Sequence, residues 1–140
     1  MVVLYFGLIK YDLLENDETI RSQNWLKDKI WSVFDNLIYN AARHTPKGGS
    51  ITLTARQTED SRVCIEVADT GEGIAPEHLP HIFDRFYKVS KARNEGEGDN
   101  GIGLFIVKTV AEGMGGSIAV ESVPGEGAKF FITLDASLVL

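Results

Sequence analysis

Two glycine-bearing segments bracket the middle of the chain, Asp69-Thr-Gly-Glu-Gly-Ile74 and Asn100-Gly-Ile-Gly-Leu104. Glycine pairs let a backbone approach a ligand where a Cβ would clash, and they allow turns whose N–H groups converge on phosphate. The first pair, Gly71 and Gly73, follows an aspartate at the end of a predicted strand, and the second, Gly101 and Gly103, opens an apolar helix. A sheet presents ligand-binding groups at its strand ends, and a helix N-terminus favours anions. The combination points to a nucleotide site; ordinary turn-making by all four glycines is the plainer alternative. A third group lies upstream. Asn36, Asn40 and Arg43 fall four and three residues apart, so a helix places them on one face. Asparagine is a poor helix-interior residue, and two of them beside an arginine ask for a polar partner, although a solvated stripe has the same spacing.

The elements that must position these residues follow from periodicity. Leu26, Ile30, Val33, Phe34, Leu37, Ile38 and Ala41 recur at helical spacing from Trp25 onward, and Pro46 with Gly48-Gly49 stops the helix. Alternation over 50–57 and 62–68 predicts an antiparallel hairpin with Ile51, Leu53 and Ala55 on its core face, its second strand delivering Asp69. Pro76 opens a short predicted helix to about Phe83. Residues 102–114 read as an apolar helix, and strands over 117–123 and 129–135 flank the turn Pro124-Gly-Glu-Gly127. Within 1–24 the pattern gives an edge strand over 2–9, a turn at Asn16-Asp-Glu18 and a second short strand near 19–23. The stretch about 87–100 has too few apolar residues to order itself and is long for a connector, which predicts a lid. The order predicts an α/β two-layer sandwich, a mixed, mostly antiparallel sheet with about three helices on one face. Residues 1–24 would be N-terminal strands or the junction to a further domain, and 25–140 the nucleotide-binding domain.

Composition narrows the function. A formal charge of −6, with 14 Lys+Arg against 20 Asp+Glu, disfavours nucleic acid, which needs a basic face. A nucleotide remains compatible, because Mg²⁺ and a few basic groups neutralise a triphosphate locally. The single Cys64 excludes an internal disulfide and fits a reducing compartment. The apolar opening has no basic residues ahead of it and is too short to span a bilayer, so the expectation is a cytoplasmic domain without membrane contact of its own.

Asn36-Leu-Ile-Tyr-Asn-Ala41, Asp69-Thr-Gly-Glu-Gly73, Phe83-Asp-Arg-Phe86, Asn100-Gly-Ile-Gly-Leu104 and Gly125-Glu-Gly127 stand in the order and spacing of one known domain. From about residue 25 to 135 the chain closely resembles the catalytic ATP-binding domain of sensor histidine kinases. The resemblance implies the GHKL fold shared with gyrase, mismatch-repair and heat-shock-chaperone ATPases, with ATP and Mg²⁺ as cofactors. It implies Asn40 as the Mg²⁺ ligand, Asn36 as a phosphate-side partner, Arg43 as a phosphate-contacting base and His44 near the nucleotide. Asp69 resembles the adenine reader, with Gly71 and Gly73 letting backbone close on the base and Ile74 and Leu104 as apolar walls. Gly101, Ile102 and Gly103 correspond to the hinge between lid and helix, and Arg85 and Lys88 are candidates for docking or for the γ-phosphate. Hydrolytic relatives carry glutamate at position 36. Asparagine there implies phosphoryl transfer with little intrinsic hydrolysis, Asn36 and Arg43 acting by positioning and charge neutralisation.

Some positions depart from that family. Asp99 stands where glycine is usual, Ala128 where threonine or serine is usual, and Lys88 where arginine is frequent. None of His44, His78 and His81 has the phospho-acceptor context, so the resemblance implies a histidine-bearing dimerisation domain elsewhere and a response regulator downstream. Two alternatives stay open: an anti-sigma-type serine protein kinase on the same fold, and a degenerate nucleotide-binding interaction module.

Overall fold

The computed structural model describes residues 2–4, 17–89 and 101–135, with side chains from Asp28 onward. The elements are β1 (Val2–Leu4), α1 (Asp17–His44), β2 (Ile51–Gln57), β3 (Arg62–Asp69), α2 (Gly103–Gly113), β4 (Ser117–Ser122) and β5 (Ala128–Asp135). The five strands form one sheet in the order β1-β2-β3-β5-β4. β1 lies parallel to β2 and the other pairings are antiparallel, so the sheet is mixed and mostly antiparallel, as expected.

Strand alternation decides which face is covered. Along β5, Ala128, Phe130, Ile132 and Leu134 are buried while Lys129 and Asp135 are exposed. On β3 the inward set is Val63, Ile65 and Val67, in register with β5 through Ile65↔Ile132 and Val67↔Phe130. Against this face α1 packs Val33, Leu37 and Ala41, and α2 packs Val107 and Ala111, with Met114 just beyond it. Leu37, Val67, Val107, Phe130 and Ile132 lose nearly all contact with water. Burying one such side chain contributes about 1.5–3 kcal/mol, so this layer fixes where α1 and α2 sit on the sheet. Phe83 closes one side of it, edge-on to Phe130 at 6.2 Å between ring centroids.

Several expectations need correction. Among the described residues there are two helices, not three. Over 75–84 the chain makes consecutive turns, His78 N–H to Ala75 O, His81 N–H to His78 O and Asp84 N–H to His81 O, at 2.9–3.0 Å. Pro80 explains this, because it has no N–H and its ring clashes with the carbonyl four residues back, so the turn opened by Pro76 cannot propagate. The expected turn at 16–18 and strand at 19–23 give way to helix from Asp17. No glycine or proline occurs between 17 and 44, and propagation adds a bond for each residue fixed. Ile38, placed in the apolar stripe with Leu37 and Ala41, lines an open groove with Asp35 and Tyr39, and Ala55, placed on the core face of its strand, is exposed. Residues 5–9 of the predicted first strand and 90–100 of the predicted lid lie outside the described residues. Among the described residues no helix is long and apolar enough to cross a membrane.

Candidate functional site

Asp69 is the last residue of β3 and, at 8 % relative exposure, the buried charged residue among those described. Its carboxylate is held by backbone. Oδ1 accepts from Gly71 N–H at 2.8 Å and from Ala128 N–H at 3.3 Å. No buried side-chain polar atom among the described residues lacks a partner, so Oδ2, outside both bonds, reaches the surface. One oxygen fixed and the other presented is the arrangement a carboxylate needs to accept a hydrogen bond from a ligand.

The loop after Asp69 is wedged between the end of α1 and the β4–β5 turn. At Gly71 an added Cβ would stand 2.2 Å from the His44 carbonyl oxygen, so only glycine lets the loop lie this close. Glu72 N–H donates to that same carbonyl at 3.1 Å, and the Glu72 carboxylate meets His44 Nδ1 at 2.8 Å. On the other side Gly125 N–H donates to Glu72 O at 2.8 Å, and Gly73 lies against Val123 O. Ser122 Oγ accepts from Ile74 N–H at 2.8 Å and donates to Gly127 O at 2.7 Å. Gly127, with φ +86°, covers the Asp69 backbone so closely that a Cβ would fall 1.9 Å from its carbonyl oxygen. Ile74 is half-buried and packs on the core behind this loop.

The second group comes from one helix face. Asn36 and Asn40 are half-buried and Arg43 and His44 exposed, all in the C-terminal turns of α1. Cations there also offset the helix dipole, a structural role that Arg43 serves in any case. Asn36 Nδ2 donates to Ser32 O at 2.7 Å, which orients the amide. Its Oδ1 faces the start of α2, 3.0 Å from the position of a Cβ on Gly103. Ile102 precedes α2 without a side-chain cap, leaving first-turn N–H groups to other partners, and Leu104 packs on the core. The structure thus brings Asn36 and Gly103 together, and Asp69, Gly71 and His44 together.

The flanks of residues 90–100 are adjacent. Phe86 N–H donates to Gly101 O at 2.9 Å, and Gly101 (φ +67°) lies against the Phe86 and Tyr87 backbone. Lys88 is exposed beside this junction, and the Arg85 guanidinium lies 4.7 Å from the Phe86 ring centroid. Asp99 and Asn100 fall outside the described residues. His78 Nδ1 meets Tyr87 Oη at 2.7 Å and His81 Nδ1 meets Asp84 Oδ2 at 3.1 Å, so both rings are engaged within residues 78–87. The groove of about 530 Å³ along α1, lined by Asp35, Asn36, Ile38, Tyr39 and Ala42, shares only Asn36 with the candidate site.

Sequence reasoning missed Ser122, Glu72 and the Ala128 backbone as parts of the site. Gly127 was visible as a motif but not as the cover of Asp69. Ser122 gave no signal, since a serine at a strand end is unremarkable.

The chain is similar to known proteins in sequence and in fold. The family described as "Histidine kinase-, DNA gyrase B-, and HSP90-like ATPase" matches residues 26–138. The chain is 45 % identical over 119 residues to the sensor protein SrrB of Staphylococcus aureus, covering 79 % of this chain and 20 % of SrrB. It therefore spans about a fifth of the length of the curated relatives it matches. Among solved structures, ShkA, crystallised full-length in complex with AMPPNP, is 32 % identical with a TM-score of 0.67, covering 76 % of this chain and 21 % of that one. A mycobacterial sensor histidine kinase, MprB, is 28 % identical with a TM-score of 0.68, covering 76 % and 72 %.

Proposed function

The chain belongs to the histidine kinase-, DNA gyrase B- and HSP90-like ATPase family, and we propose that it is the ATP-binding catalytic domain of a two-component sensor histidine kinase. Residues 25–140 form that domain, with the lid over about 87–100. Asp69 carries the reading: a buried carboxylate with one oxygen held by two backbone N–H groups and the other presented. Bound Mg-ATP would supply the phosphoryl group and the cation that offsets its charge. Asp69 would accept a hydrogen bond from the adenine amino group, a charge-assisted bond worth roughly 1.5–3 kcal/mol, and the loop around Gly71 and Gly73 would close on the base. Asn40 offers a carbonyl oxygen to the cation, and hard cations prefer oxygen ligands. No group of three His, Cys, Asp or Glu among the described residues could hold a metal, so most of the remaining ligands would come from the nucleotide and water. Arg43 contacts phosphate, with His44 alongside, and Lys88 and the α2 N-terminus approach it from the lid side.

Asn36 supports transfer over hydrolysis. A neutral amide cannot take a proton from water, and Nδ2 is already committed to Ser32 O. The neighbouring carboxylate, Asp35, lines the outer groove, opposite the core-facing side of α1. The acceptor is a histidine on a separate dimerisation domain, in the same protein or another chain, and a response regulator receives the phosphoryl group next. The domain works on the cytoplasmic side and itself touches neither nucleic acid nor membrane.

The test is a calorimetric titration with AMPPNP, with and without Mg²⁺, for wild type and Asp69→Asn. The variant keeps the shape but presents a donor to the adenine amino group, so affinity should fall roughly 10- to 150-fold. Equal binding by both proteins would refute the assignment of Asp69, and absence of wild-type binding would favour the degenerate module.

A further inference from the structure

Ser122, the last residue of β4, belongs to none of the motifs, yet its hydroxyl joins the two segments that enclose Asp69. A hydroxyl carries one proton and two lone pairs, so Oγ can accept from Ile74 N–H at 2.8 Å while donating to Gly127 O at 2.7 Å. The bonded carbonyl and the N–H that reaches Asp69 belong to the same peptide unit, Gly127 C=O and Ala128 N–H. That unit is planar, with its oxygen and hydrogen pointing in opposite directions, so gripping the oxygen aims the N–H. A bond to the carbonyl also polarises the unit and strengthens its donor.

We propose that Ser122 is a positioning residue for base recognition: it fixes the Gly127–Ala128 peptide so that Ala128 N–H holds Asp69 Oδ1 and Oδ2 stays turned to the ligand. The inference rests on the reading of Asp69 as the base acceptor. Two features make this chain depend on Ser122. Position 128 is alanine, so the turn acts on Asp69 through backbone alone. The Ala128 contact is the longer of the two, 3.3 Å against 2.8 Å, and a small rotation of the peptide loses it, whereas Gly71 sits in the same loop as Asp69 and moves with it.

The experiment compares wild type, Ser122→Ala and Ser122→Thr, first without nucleotide by amide hydrogen exchange. Protection of Ala128 N–H should fall roughly tenfold in Ser122→Ala, return in Ser122→Thr and stay unchanged at Gly71. Unchanged Ala128 protection, or an equal loss throughout β4 and β5, overturns the proposal. Titration with AMPPNP and its guanine counterpart then reads recognition. The adenine preference should drop about threefold to tenfold in Ser122→Ala, and the substitution should have no further effect on an Asp69→Asn background. Equal weakening toward both nucleotides would reduce Ser122 to a structural residue. If wild type binds neither, the proposed function fails and the exchange data alone decide the role of Ser122.

Discussion

Asp69 is buried and gripped from its own loop and from the β4–β5 turn, whereas Asn36, Asn40 and Arg43 stand on a single helix, half-buried or exposed. The first region is tertiary in construction, since β3 supplies the carboxylate, β5 a backbone N–H to it, and α1 and β4 a carbonyl and a hydroxyl to the loop that follows it. The second is secondary in construction, three side chains set by a helical repeat and faced by the start of α2. A rigid end suits reading a base of fixed shape. An open end suits a triphosphate and cation that bring their own charges and complete the site on arrival.

Substitutions should separate the two regions. The largest effect belongs to Gly127→Ala, where a Cβ would fall 1.9 Å from Asp69 O at a backbone angle unfavourable to alanine. We expect a loss of about 3 kcal/mol in thermal denaturation, with nucleotide binding lost too; a variant of normal stability would mean that the turn is far more pliable than drawn. Asn40→Ala is the reverse case. Stability should stay within about 0.5 kcal/mol, while AMPPNP affinity in Mg²⁺ falls roughly tenfold, to its value in EDTA; a Mg²⁺ effect that survives would exclude Asn40 as a ligand. Gly103→Ala sharpens the contrast. Alanine is the better helix former by up to about 1 kcal/mol, yet the added methyl presses on Asn36 Oδ1 at 3.0 Å. Stability should hold or rise slightly as affinity drops about threefold, and a parallel fall in both would show that the contact is structural.

The smallest effect lies at the far end of the sheet. The Thr58 hydroxyl, hydrogen-bonded to Asp60, is the main cause holding that carboxyl below its ordinary value. A depressed carboxylate contributes stability above its unfolded pKa and loses it as pH falls through the folded one. Thr58→Ala should therefore return Asp60 toward the ordinary value in an NMR titration, flattening that acid-side dependence without changing nucleotide affinity. A change in affinity would mean that the hairpin communicates with the site.

Much of the fold was legible because it repeats locally. Alternation placed β2 to β5 within a residue or two, and the glycines after Met114 and Pro46 marked the helix ends. The failures have local causes too: Pro80 stopped the helix that Pro76 began, and the absence of breakers carried α1 back to Asp17.

The candidate site divides along the same line. Sequence alone determined the Asn36, Asn40, Arg43 face, because a 3.6-residue repeat fixes which side chains are neighbours within one helix. It also placed Asp69 at a strand end. That Ala128 N–H would hold its carboxylate, that Gly127 would cover its backbone and that Ser122 would link both was decided only by tertiary structure. The contacts of Gly127 and Ala128 with Asp69 join residues almost sixty positions apart, and on the β5 side they use only backbone atoms, which every residue type shares, so no residue identity announces them until the sheet register brings them together.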